Sequence, residues 1–359
     1  MQITQLQLQS FRCFAQQSFI FTKPLVLLEG DNGSGKTSLL EALYYLCYLR
    51  SFRTHSTKEM IGLENEARSF FVKIAVDFND GREHEIQAGF SAQKRLVKID
   101  QKLVQSYKEL IDRYRAVALT EDDLELIKEG PDRRRSLLDQ DILLHNPLFV
   151  QQLRVYKKVL ESRNALLTKG TSEDSFMLWT RQLWERAHEI QQERVAALMR
   201  LEQGVNELFL QHFNIERAVS FIYQAKHESL SYKNIDDFIA QKSSLFYQEK
   251  LFKKSLFGAH LDDVHIVFKG KSARTFASRG QQKLLVVLIK VAQIIEAAKK
   301  GGSLFFLLDD FMTDFDQERL DILVPLLTSL KAQLIFTCPL QESPLKKLLL
   351  AADAQTIQL

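Results

Sequence analysis

The sequence predicts an α/β protein in which one unit, split in sequence, is interrupted by a mainly helical insertion. Three observations point there. A short apolar run, Leu25-Val26-Leu27-Leu28, enters a glycine-rich loop, and Leu39, Leu40, Leu43 and Leu46 follow at helical spacing. Strand-like and helix-like stretches alternate again after Val264. Between these parts, from about residue 130 to about residue 214, the pattern is helical.

In chain order, residues 3–11 alternate loosely and predict a strand, and 18–21 and 25–28 predict two more. Residues 70–78, 85–91 and 95–103 predict an antiparallel meander, with turn chemistry at Asn79-Asp80-Gly81 between its first two strands. Residues 115–119 predict another strand. Thr120 with Asp123 marks a helix start, and Gly130-Pro131-Asp132 marks the next. Leu160, Leu166, Leu167, Leu178, Leu183, Ile190, Leu198 and Leu201 then lie among charges, in an order too ragged and too short for a long coiled coil. A strand at 221–223, a helix over 235–249, and strands at 264–268, 304–308 and 334–336 complete the chain. The expected division is 1–110, 111–250 for the helical lobe, and 251–359.

Composition excludes several classes. The 359 residues are 45 % hydrophobic and 26 % charged, ordinary for a globular protein with a large core. A net charge of +3 permits a nucleic-acid partner without arguing for one. Cys13, Cys47 and Cys338 are far apart with no C-x-x-C, which predicts a reducing, cytoplasmic setting and no structural zinc. Met1-Gln2-Ile3-Thr4 has no basic and apolar leader, so no secretory signal is expected. No apolar run approaches the ~20 residues that span a bilayer, so no membrane partner is expected.

Three stretches carry chemistry. Gly30-Asp31-Asn32-Gly33-Ser34-Gly35-Lys36-Thr37-Ser38 fits G-x-x-x-x-G-K-[ST], the Walker A phosphate loop. Its glycines let several N–H groups face one point, and the following helix adds its positive end. Lys36 is placed to reach the β- and γ-phosphates of a nucleoside triphosphate, and the Thr37 hydroxyl to sit on Mg²⁺. Leu304-Phe305-Phe306-Leu307-Leu308-Asp309-Asp310 is an apolar strand ending in acids, the Walker B arrangement. Asp309 would hold Mg²⁺ and Asp310 would orient or deprotonate the attacking water. Ala277-Ser278-Arg279-Gly280-Gln281-Gln282-Lys283, before an apolar helical pattern, is either a simple N-cap or a second anion-binding end. One chain needs one such loop for its triphosphate, so a second suggests a site completed by another subunit.

The order Walker A, S-x-G-Q, Walker B resembles the ATP-binding-cassette ATPases, specifically the soluble DNA-repair branch that contains SMC and RecF. The modest helical segment, in place of a long coiled coil, resembles the RecF family. Arg50-Ser51-Phe52-Arg53-Thr54, Glu121-Asp122-Asp123-Leu124, Gly130-Pro131, Arg133 to Asp139, Arg163-Asn164-Ala165-Leu166-Leu167 and Gly258-Ala259-His260-Leu261-Asp262-Asp263 are similar to family segments. Asp309-Asp310-Phe311-Met312-Thr313-Asp314-Phe315-Asp316 resembles Walker B running into the D-loop. Leu261, Ala277 and Thr313-Asp314-Phe315 depart from the usual residues.

The resemblance implies an ABC-type P-loop head of mixed sheet and antiparallel meander with an inserted helical lobe. It implies ATP and Mg²⁺ as cofactors, held by Gly30 to Ser38 with Lys36, Asp309 and Asp310 catalytic. Arg12 would lie near adenine, and Ser278, Gly280 and Gln281 would contact ATP on the opposite protomer of an ATP-dependent homodimer. It also implies binding of double-stranded DNA and single-strand/double-strand junctions, slow DNA-stimulated hydrolysis, and work with RecR and RecO to load RecA. An SMC-like ATPase with another partner and a P-loop small-molecule kinase are the alternatives.

Other residues keep two readings. Arg133-Arg134-Arg135, Lys157-Lys158, Lys253-Lys254 and Lys299-Lys300 are either DNA contacts or solvated helix faces. His260 is either a switch or a packing residue. Trp179 and Trp184 fit a core better than a stacking platform.

Overall fold

The computed structural model describes residues 2–62, 68–77, 83–91, 94–170, 172–301, 303–312 and 315–359. It divides into two units, one made of 1–124 with 284–359 and the other of 125–283.

The first unit holds two sheets. One is wholly parallel, in the order Gln355–Gln358, Leu25–Glu29, Gln333–Cys338, Ser303–Leu308 and Tyr114–Leu119. Its inner strands are continuous apolar runs because both faces are covered. Leu25–Glu29 and Gln333–Cys338 are buried along their whole length. The other sheet is wholly antiparallel, in the order Phe14–Ile20, Gln2–Phe11, Ser69–Asp77, Glu83–Ser91, Lys94–Ile99 and Lys102–Leu103. Parallel and antiparallel pairings are thus segregated between two sheets.

Helix Lys36–Tyr48 packs against strands of both sheets. That explains why it is apolar on nearly every side rather than along one stripe. Tyr48 pins it to the parallel sheet. Its hydroxyl donates to the Ala116 carbonyl at 2.8 Å and accepts the Ala116 N–H at 3.1 Å.

The second unit contains helices Pro131–His145, Phe149–Lys169 and Glu173–Phe213 with a small antiparallel sheet of Val219–Gln224, Asp263–Phe268 and Lys271–Ser272. Gly170, at φ 78°, ends the second helix, and the Ser172 hydroxyl caps the third by accepting the Ser175 N–H. The third helix has 41 residues, a rod of about 60 Å.

Buried polar networks knit this unit. Arg163 and Glu249 are both fully buried and pair at 2.6 Å, with Ser255 and Thr180 accepting two further guanidinium N–H groups. Asp262 accepts from the Gln191 amide and the Tyr223 hydroxyl, each at 2.7 Å, and from the Lys226 N–H at 2.8 Å. Arg194 bridges Asp139 at 2.8 Å and the Ala259 carbonyl at 2.6 Å.

Several expectations are refined. The chain passes from one unit to the other at 124/125 and 283/284, and the sequence division lies at 110/111 and 250/251. Strand Tyr114–Leu119 pairs into the parallel sheet, and Asp263–Phe268 pairs with Val219–Gln224 in the second unit. The strand expected over 95–103 is two strands, broken at Asp100 and Gln101, which turn at φ 49° and 66° without a glycine. The helix expected over 235–249 is two, Ile235–Gln241 and Ser243–Phe252, parted at Lys242. The Asn79-Asp80-Gly81 turn lies outside the described residues. Arg134 is buried and donates to Asp263 at 2.7 Å, while Arg133 pairs with Glu125 at 2.6 Å. Trp184 packs in the core against Phe238, and Trp179 is half-buried. Among the described residues no helix is long and apolar enough to cross a membrane.

Candidate nucleotide site

Strand Leu25–Glu29 ends at the carboxyl edge of the parallel sheet, and the loop from Gly30 to Gly35 leaves from that edge. This is the edge where open parallel sheets bind ligands. Gly33 and Gly35 take φ of 87° and 106°, a region that favours glycine. Space also matters. A Cβ on Gly35 would lie 2.6 Å from the Phe14 ring and 2.8 Å from the Cys13 sulfur, and one on Gly30 would lie 2.4 Å from the Ser34 hydroxyl.

The buried Lys36 ammonium donates to the Gly30 carbonyl at 2.8 Å and the Asp31 carbonyl at 3.1 Å, so it lies over the loop. Asp31, Asn32 and Gly33 are exposed, Thr37 is half-buried and Ser38 is buried. The Ser34 hydroxyl is buried and finds no hydrogen-bond partner among the described residues. The first N–H groups of helix Lys36–Tyr48 lie beyond the reach of its own carbonyls. A cradle of free donors around a cation is what a phosphate chain requires.

The acids lie at the end of strand Ser303–Leu308, which is separated from the phosphate-loop strand by Gln333–Cys338. Thr37 donates to Asp309 Oδ1 at 3.0 Å, joining the loop to the acids. Burial pushes the Asp309 carboxyl above its ordinary range and the neighbouring Asp310 charge adds to this, while hydrogen bonds from Thr37 and Thr337 and the Arg53 charge oppose it. A desolvated carboxylate beside a hydroxyl suits a divalent cation, which would neutralise it. Asp310 turns at φ 49°.

Thr337 is an unforeseen member of the site. Its hydroxyl oxygen accepts the Asp310 N–H at 2.8 Å and lies 3.1 Å from Asp309 Oδ1 and 3.0 Å from Asp310 Oδ1. The only sequence signal is one hydroxyl inside the apolar run Leu334-Ile335-Phe336-Thr337-Cys338.

Arg12 sits at φ 53° and is held in place. Its guanidinium makes two bonds, of 2.7 and 2.6 Å, to the fully buried Glu41 of the Walker helix, and a third of 2.6 Å to the Glu59 carbonyl. Ser51 also donates to Glu41, and the half-exposed Arg53 approaches it to 3.7 Å. Asp123, in the acidic run after strand Tyr114–Leu119, pairs with the buried Lys290 at 2.9 Å.

Ser278, Gly280 and Gln281 fall in the second unit and are described separately. Ser278 donates its N–H to Gln281 Oε1 at 2.9 Å, and its hydroxyl accepts the Gln281 N–H at 3.3 Å. This reciprocal capping box opens helix Arg279–Ala298. Ser278 is exposed, and its hydroxyl proton is not used by the cap. Within the D-loop, Asp316 caps helix Gln317–Thr328 by accepting the Arg319 N–H at 2.9 Å, while Thr313 and Asp314 lie outside the described residues.

The structure thus brings together Gly30 to Ser38, Asp309, Asp310 and Thr337. A phosphate loop and an acid pair on a parallel sheet, beside an antiparallel sheet, define the class as a P-loop ATPase head of the ABC type. The RecF/RecN/SMC N terminal domain family matches residues 2–348.

The chain belongs to the RecF family. It is 30 % identical over 345 residues to the DNA replication and repair protein RecF of Desulfitobacterium hafniense, covering 92 % of each chain. It is 29 % identical over 341 residues to that of Geotalea daltonii, covering 94 % of this chain and 93 % of the relative. The fold is similar to the solved recombination mediator protein RecF-ATPrS in the RecFOR pathway. There the TM-score is 0.83 at 23 % identity, over 100 % of this chain and 96 % of that one. It is also similar to the Smc head domain of Pyrococcus furiosus, with a TM-score of 0.52 at 16 % identity, over 99 % and 92 % of the two chains.

Proposed function

We propose that this protein is an ATP-dependent DNA-binding ATPase of recombinational repair and replication-gap processing. The observation that carries the reading is the 3.0 Å bond from Thr37 to Asp309, which joins the phosphate loop to the acid strand. ATP and Mg²⁺ fit the residues present. Among the described residues the Ser34 hydroxyl lacks a partner, the Lys36 ammonium donates to loop carbonyls, and glycine stands at Gly30 and Gly35, where a Cβ would clash.

ATP supplies the scissile phosphoanhydride, and Thr37 and Asp309 would hold its Mg²⁺. Lys36 turns from the Gly30 and Asp31 carbonyls toward phosphate charge. Asp310 orients the attacking water. Arg12 lies near the base, held by Glu41. Ser278, Gly280 and Gln281 of a second copy close over the γ-phosphate, which makes ATP a removable link in a homodimer. Closure forms a surface that clamps duplex DNA and single-strand/double-strand junctions, and slow, DNA-stimulated hydrolysis reopens it. The family resemblance extends this to RecR and RecO in loading RecA, and to a cytoplasmic, nucleoid-associated location.

The test is equilibrium binding of a fluorescent ATP analogue with and without Mg²⁺, followed by DNA binding with and without ATP. The reading expects Mg²⁺-dependent analogue binding that Asp309→Asn weakens, and DNA binding that requires ATP. Analogue binding unaffected by Asp309→Asn would refute the metal assignment, and DNA binding indifferent to ATP would refute the clamp.

A further inference from the structure

Thr337 lies in strand Gln333–Cys338, between the phosphate-loop strand and the acid strand, and is 1 % exposed. Its hydroxyl faces three polar groups of the acid pair. The Asp310 N–H donates to it at 2.8 Å, and one oxygen of each carboxylate lies at hydrogen-bond distance, 3.1 Å for Asp309 and 3.0 Å for Asp310. A threonine hydroxyl carries one proton and two lone pairs. The Asp310 N–H occupies one lone pair, and the single proton serves one carboxylate at a time. Asp309 Oδ1 has a second donor in Thr37, at 3.0 Å.

We infer that Thr337 is a positioning residue that passes its one hydrogen bond from Asp309 to Asp310 when Asp309 is engaged by the nucleotide-bound cation. The inference rests on the proposed roles of Thr37, Asp309 and Asp310. With Asp309 committed to the cation, its oxygen is the poorer acceptor, and Thr337 donates to Asp310 instead. Asp310 is then held twice by one hydroxyl, through its backbone N–H at φ 49° and through its carboxylate. That gives the carboxylate an added hold when the site is loaded. Binding energy of the substrate complex is thereby used to order the group that acts on water.

The test compares Thr337→Val, Thr337→Ser, Asp310→Asn and the Thr337→Val/Asp310→Asn pair, with Thr337→Ala beside them in case the valine variant does not fold. Three readouts are needed: kcat and KM for ATP hydrolysis at saturating Mg²⁺, the Kd of a fluorescent ATP analogue with Mg²⁺, and far-ultraviolet circular dichroism. Thr337→Val is expected to lower kcat roughly 10- to 100-fold, the loss of a hydrogen bond to a charged group. It should leave the analogue Kd within about 3-fold, and Thr337→Ser should recover most of the rate. In the Asp310→Asn background the valine change should add less than about 3-fold, because the two act as a unit. A folded valine or alanine variant with wild-type kcat would overturn the inference. So would losses that multiply in the double variant, or a serine variant as slow as valine. A wild type that fails to bind the analogue would instead refute the nucleotide site itself, and this inference with it.

Discussion

Replacing Glu41 by glutamine should destabilise the apo protein by about 2–4 kcal/mol, although Glu41 lies outside the phosphate loop. Its carboxylate is fully buried and accepts two N–H bonds from Arg12, at 2.7 and 2.6 Å, and one O–H bond from Ser51. Removing the charge leaves the Arg12 guanidinium, whose side chain is 20 % exposed, beside a neutral amide. Breaking a buried ion pair from one side costs about 3–5 kcal/mol. Glutamine keeps one acceptor oxygen and recovers about 1 kcal/mol of that. The assay is urea unfolding without nucleotide, followed by far-ultraviolet circular dichroism. Both tryptophans lie in the second unit, so their fluorescence gives a separate trace of that unit. Arg12→Met should cost a similar amount, and the double variant Arg12→Met/Glu41→Leu should cost less than the sum of the singles. A Glu41→Gln loss below about 1 kcal/mol, or additive losses in the cycle, would refute the reasoning. Arg12 would then be held by the Glu59 carbonyl and its own backbone.

Lys36→Met should weaken ATP binding at least about 10-fold, the lower end for a lost charge-assisted contact, with circular dichroism unchanged. Arg163→Ala should destabilise the helical unit by about 3–5 kcal/mol, because it strands the fully buried Glu249; an Arg163→Met/Glu249→Leu pair should recover much of this, read by tryptophan fluorescence in urea. His260 is pulled down to about 4, first by burial and further by Arg135, Arg163 and Arg194, so the fold keeps it neutral. The unfolded chain takes up the proton below about 6.5, so stability should fall as pH drops from 6.5 toward 4, and His260→Gln should flatten that limb.

Much of the fold and most of the proposed site can be read from sequence, for reasons visible in particular residues. The phosphate loop is legible because its backbone demands glycine at fixed spacing. The strand before Asp309 is legible because a strand buried on both faces is a bare apolar run. The short strand Gln355–Gln358 is less so, since Thr356-Ile357 gives too little alternation to register. The turn at Asp100 and Gln101 escapes because non-glycine residues adopt the left-handed region there. Arg133 to Asp139 and Gly258 to Asp263 stand out as charged runs, but only three-dimensional pairing shows Arg134 meeting Asp263 and Arg194 meeting Asp139. Thr337 is legible only once the strand order places it between the two acids and the loop.

The measurement that bears most directly on the proposed function is solution mass by light scattering, without nucleotide and with ATP and Mg²⁺, for wild type, Lys36→Met and Ser278→Arg. ATP is expected to double the wild-type mass, and both variants to stay monomeric, with Ser278→Arg still binding ATP. A wild type that binds ATP and remains a monomer would contradict it.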